Sequence, residues 1–175
     1  MRKIIVSVFL VLIFICSCSG KSETAGDWVN KADALINEKG INNPQQALEY
    51  LNKAIELQPD NATAYGIKGY ICFSLEKYQQ AIDSFSKAIQ FNPTKAEYYN
   101  SRGTVYSKMS QYEKAIEDFN QAILFDSNDA TFYNNRAGVH LRHGDKKLGC
   151  LDAERACVMK YCDVLDWAKK EGYCH

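Results

Sequence analysis

The sequence predicts an all-α solenoid of stacked, antiparallel helix pairs, and three observations carry that expectation. Small and aromatic residues recur every 34 positions along most of the chain. Within each unit the apolar residues fall at helical spacing. Only three prolines interrupt 175 residues, which leaves room for long helices. Lys+Arg and Asp+Glu both number 21, so no clustered basic excess speaks for nucleic acid and no acid excess for a disordered tail.

The chain opens with Arg2 and Lys3 before an apolar run from Ile4 to Ile15 that only Ser7 breaks. Twelve helical residues reach about 18 Å, short of the roughly 30 Å hydrocarbon core, so the run reads as an export signal and not as a spanning helix. Ile15-Cys16-Ser17-Cys18 places an apolar residue three positions before a cysteine and a small residue directly before it. This resembles the lipobox of bacterial lipoproteins, which implies cleavage after residue 17 and a diacylglycerol on Cys18. Cys16 does not fit that role, because bulky Ile15 would fill the small-residue slot. Each buried methylene of such acyl chains contributes about 0.8 kcal/mol to membrane attachment. Ser19 after the lipidated cysteine implies sorting to the outer membrane, periplasmic face. Residues 18–26 then form a polar tether.

The repeats begin at residue 27. Units are expected at 27–61, 62–95, 96–129 and 130–160, followed by a capping helix in 161–175. Ala47, Ala81 and Ala115 share one column, which Gly149 continues. Ala54, Ala88, Ala122 and Ala156 share another, and so do Tyr65, Tyr99 and Tyr133. Stretches 62–95 and 96–129 agree at ten of 34 positions, too many for coincidence. In the first unit Trp28, Ala32 and Leu35 supply the first stripe, provided that three extra residues sit in the Gly40-Ile41-Asn42-Asn43 turn. Asn43-Pro44 then reads as cap and first position of the second helix. In the second unit Tyr65, Gly69 and Cys72 form one stripe and Ala81, Phe85 and Ala88 the next, with a turn near Glu76-Lys77. Gly69 and Ala81 allow close helix approach, Tyr65 and Phe85 fill the space beside them, and Pro93 stops the unit.

The third unit repeats this with Gly103, Ala115 and Phe119. The fourth carries smaller residues at Ala137, Gly149 and Ala153. Arg102 and Arg136 stand in one column, and Asp118 and Asp152 sixteen positions later in another, which predicts an Arg–Asp pair within the third and fourth repeats, whereas Lys68 with Ser84 breaks the pattern in the second. Val164, Leu165 and Trp167 give the last helix an apolar side, expected to cover the end of the solenoid.

These columns resemble the tetratricopeptide repeat over about residues 27–160. The resemblance implies a right-handed superhelix whose first helices line a concave groove for a peptide or a partner's helix. Carrying the groove columns over gives Thr63, Gly66, Tyr70, Phe73 and Ser74 in the second unit. The third contributes Glu97, Asn100, Thr104, Ser107 and Lys108, and the fourth Thr131, Asn134, Gly138, Leu141 and Arg142. Tyr70 and Phe73 read as aromatic anchors, Asn100 and Asn134 as backbone hydrogen-bonders, and Lys108 and Arg142 as cations at one end. The basic positions used by chaperone-binding relatives hold Gly66 and Asn100, so that carboxylate clamp is missing.

Five cysteines remain beyond the lipid site, four of them in the last 26 residues. An exported compartment favours disulfides. Cys72 lies in a core column and reads as a buried thiol. Four cysteines allow three pairings. Antiparallel packing of helices at 146–159 and 163–171 favours Cys150 with Cys174 and Cys157 with Cys162, and Cys150 with Cys157 fits worst. The rival reading is a metal or enzyme site from His140, His143, Cys157 and Cys162. No Cys-x-x-Cys, Gly-x-Ser-x-Gly, Walker-type or dinucleotide-type loop is present, so no catalytic residue, metal ligand or cofactor is assigned. The function expected is that of a lipid-anchored adaptor for an envelope protein, with no nucleic acid and no catalysis. A self-associating solenoid, a homo-oligomer with its groove filled by a neighbouring copy, is the further alternative.

Overall fold

The computed structural model describes residues 22–37 and 40–175. The export signal, Cys18 and the first residues of the tether lie outside the described residues. The helices are α1 (Ala25–Asp33), α2 (Pro44–Leu57), α3 (Ala62–Ser74), α4 (Tyr78–Phe91), α5 (Ala96–Lys108), α6 (Tyr112–Phe125), α7 (Ala130–His143), α8 (Lys146–Val158) and α9 (Asp163–Lys170). They pair in sequence, and each pair packs on the next. The first helices of the pairs, α1, α3, α5 and α7, also touch one another in succession and so line one side of the stack. This is the expected all-α solenoid.

Local chemistry sets the boundaries. Thr24 caps α1 through a reciprocal box with Asp27, so the helix starts two residues before the expected unit and takes Ala25 and Gly26 from the tether. Asn43 caps α2 from a left-handed backbone (φ 51°), with Pro44 at the first turn, as its sequence position implies. The extra residues before it do more than lengthen a turn. Ile36–Asn37 (β1) and Gly40–Ile41 (β2) pair antiparallel, with Ile36 opposite Ile41. Between the two helices of the later repeats, Glu76, Ser110 and Gly144 all take positive φ (58°, 58° and 96°). They are one 34-residue column, and only the last has the residue that adopts this conformation without strain.

The glycine columns are packing devices. A Cβ on Gly69 would stand 2.8 Å from the Phe85 ring, and one on Gly103 3.0 Å from Phe119. The fourth repeat reverses the arrangement. There the large side chain, Leu141, comes from the first helix, and the space for it is Gly149 of the second, where a Cβ would lie 2.6 Å away. The small residues of this unit thus compensate for one another. Leu141 is buried in that contact and does not face the groove.

The end of the stack is closed by α9, which buries Leu165 and Ala168 against α7 and α8. Trp167, expected on that side, is 43% exposed and stacks on Tyr173 (centroids 5.4 Å apart). Disulfides join Cys150 to Cys174 and Cys157 to Cys162, one at each end of α9. Cys72 is buried as a free thiol, and burial pushes its pKa up. Among the described residues no helix is long and apolar enough to cross a membrane.

Candidate functional site

The repeat-to-repeat hydrogen bonds determine which side chains remain for a ligand. Arg102 donates through Nε and Nη2 to both oxygens of Asp118 (2.8 Å each), the expected pair within the repeat. Its Nη1 also reaches Ser86 Oγ on the preceding repeat (2.9 Å). Arg136 makes the same three bonds, two to Asp152 (2.7 Å each) and one to Asn120 (2.5 Å). Lys68 keeps only the backward bond, to Asn52 (2.9 Å), because its own repeat has Ser84 where the acid would stand. These cations hold the stack together.

On the inner face, α5, α7 and the start of α9 enclose an open cleft of about 510 Å³. Thr104, Ser107 and Lys108 line it from α5, and Asn134, Asn135, Gly138 and Arg142 from α7. Tyr112 and Phe119 come from α6, and Val164 of α9 forms the third wall. Side-chain hydrogen bonds fix much of this lining. Asn135 Nδ2 donates to Asn100 Oδ1 (2.9 Å), and the Thr104 hydroxyl donates to the Asn100 carbonyl (2.8 Å). Asn134 is buried, and its Oδ1 accepts the Val164 N–H (3.3 Å), tying α9 to α7.

The residues expected in the groove therefore separate. Lys108 and Arg142 meet at the cleft with Asn134, but Asn100 and Asn134 are committed to structural bonds. Tyr70, 45% exposed, lines a different hollow beside Gly40, Ile41 and Pro44. Phe73 is half-buried with its ring 6.1 Å from Tyr78, so it packs the second repeat and is no free anchor. Gly66 is buried under Tyr98 of the next repeat, whose ring would lie 2.6 Å from an added Cβ. Asn135, Tyr112 and Val164 were not foreseen. Asn135 lies outside the groove columns, and Val164 joins the cleft only once α9 docks.

The four residues of the rival metal reading do not converge. Cys157 and Cys162 are bonded to each other. His143 Nε2 lies 3.0 Å from Glu113 Oε1, whereas His140 is buried with Nε2 4.0 Å from Asp152 Oδ2. Burial lowers the His140 pKa, against the pull of Asp152. Among the described residues no group of three His, Cys, Asp or Glu side chains is placed to hold a metal ion.

Three models of the tetratricopeptide repeat family match the chain, at residues 28–61, 69–110 and 96–129. The crystal structure of MamA is similar at 25% identity and a TM-score of 0.71, covering 78% of each chain. The Cut9 chain of the APC/C hetero-tetramer Cut9-Hcn1 gives a TM-score of 0.74 at 22% identity, over 82% of this chain and 29% of that one. The Arabidopsis OM64 TPR domain gives 0.61 at 21% identity, over 63% and 92%. The last two likenesses speak to the fold alone. No curated protein sequence matches the chain closely enough to count as a relative.

Proposed function

Because the chain belongs to the tetratricopeptide repeat family, whose members are generally protein-binding scaffolds without catalytic activity, we propose that it is an envelope adaptor anchored by a lipid on Cys18. The partner segment lies in the α5–α7–α9 cleft. The observation that carries this reading is the cleft itself: an open hollow on the inner face, walled on three sides by elements that hydrogen bonds and disulfides hold in place. Walls fixed before a ligand arrives lower the ordering cost of binding. The anchor rests on the sequence around Cys18, and the oxidised cysteine-rich end is consistent with a chain exported to an oxidising compartment.

A photo-crosslinking residue at Ser107, in the native cell, tests the adaptor role. One dominant envelope protein is expected from Ser107 and not from Gln121, which is exposed on α6 outside the cleft. Capture of the chain by itself, or equal capture from both positions, would contradict the reading. For the anchor, Cys18→Ala is expected to move the protein from membrane to soluble fractions, and Cys16→Ala to leave it in place.

A further inference from the structure

We propose that the cleft takes an extended acidic segment of a partner protein, whose side-chain carboxylates meet Lys108 and Arg142. This rests on the reading of the cleft as the partner site. The two cations are 34 residues apart, in one repeat column, at the C-terminal ends of α5 and α7. Neither forms an ion pair among the described residues, and no carboxylate lines the cleft.

Two nearby acids are engaged elsewhere, and Asp163, beside Val164 at the start of α9, is exposed but is not among the lining residues. Glu113, next to the cleft residue Tyr112, faces His143, and Asp145 caps α8 by accepting the Leu148 N–H (3.0 Å). Basic residues at helix C-termini gain modestly from the helix dipole. That gain explains neither why both line the same hollow nor why no acid accompanies them there. The equivalent position in α3 is Ser74, so the positive charge is local to the third and fourth repeats.

The chemistry differs from a clamp placed deeper along the first helices. In the column of Gly66, Asn100 and Asn134, Gly66 lies under Tyr98, and Asn100 and Asn134 give their side-chain oxygens to Asn135 and the α9 backbone. The charged groups offered to a ligand are the two cations, with Ser107 of α5 beside Lys108. Rim charges of this kind mainly set partner choice, association rate and salt dependence.

The test uses the full chain in a neutral detergent and fluorescence anisotropy with peptides blocked at both ends. A peptide of alternating Glu and Ala is expected to bind, and its Gln–Ala counterpart to bind at least about tenfold more weakly. Raising salt to about 0.15 M should weaken the acidic peptide. The Lys108→Glu/Arg142→Glu double variant should lose about tenfold or more, while Lys108→Arg retains binding. Circular dichroism melts confirm that each variant is folded. Equal binding of the Gln–Ala peptide, an unaffected charge-reversed variant, or binding seen only with an acidic peptide whose C-terminus is left unblocked would overturn the proposal. So would a doubled mass by sedimentation with no peptide bound. If the segment captured at Ser107 is neutral or basic, this inference falls while the adaptor role stands. If the acidic peptide binds but the cell crosslink captures only the chain itself, the adaptor role falls instead.

Discussion

Asp118 is buried, and desolvation pushes its carboxyl above the usual range even though Arg102 supplies two hydrogen bonds. The pair therefore adds less to stability than its geometry suggests, and its value lies in fixing how α5 and α6 meet. Asp118→Ala is expected to cost about 3 kcal/mol in urea unfolding, because it strands a partly buried guanidinium. Replacing both residues, Arg102→Met with Asp118→Leu, should cost less than the single change. If the double variant is worse, the ion pair is stabilising in its own right. The pair was legible in the sequence because both partners repeat at 34 residues. The backward bonds to Ser86 and Asn120 were not: with Asn52 these residues form one polar column, but the column does not say that stacking brings it against the arginines of the next repeat.

Glycines at the level of the helix divide into two kinds that composition cannot separate. Gly103 lies under Phe119 and the Ala115 carbonyl, so Gly103→Ala must push a packed ring or backbone and is expected to destabilise by about 1–3 kcal/mol. Gly138 faces the open cleft, where a Cβ would meet only Arg142 Nη1 at 3.7 Å. There Ala should gain up to about 1 kcal/mol of helix propensity. Thermal melts of the two single variants check the opposite signs. The helix pairs themselves were readable from periodicity. The antiparallel pairing of Ile36–Asn37 with Gly40–Ile41 was not, because two-residue strands are too brief to show alternation. The reversed packing of Leu141 onto Gly149 was visible only as smaller residues, since a column of side chains does not say which helix supplies the bulk.

At the scale of the whole molecule the C-terminal disulfides connect stability to the cleft. They hold α9 at Cys162 and Cys174, and α9 supplies Val164 to the cleft wall. Reduction is expected to lower stability by about 2–4 kcal/mol per bridge. It should also open the Lys169 and Lys170 bonds to trypsin while residues before α8 stay protected. Tyr70 and Phe73 were expected to share a groove with Lys108 and Arg142, but aromatic character in a column does not reveal whether a ring packs inward. The bonds that Arg102 and Arg136 make in both directions along the stack have a consequence for ancestry. A second copy of residues 96–129 spliced in after residue 129 would find an acceptor for its Arg102 in Asn120 of the copy before it. Its own Asn120 would in turn serve Arg136. The chain can lengthen by tandem duplication without leaving a donor stranded at the new joint.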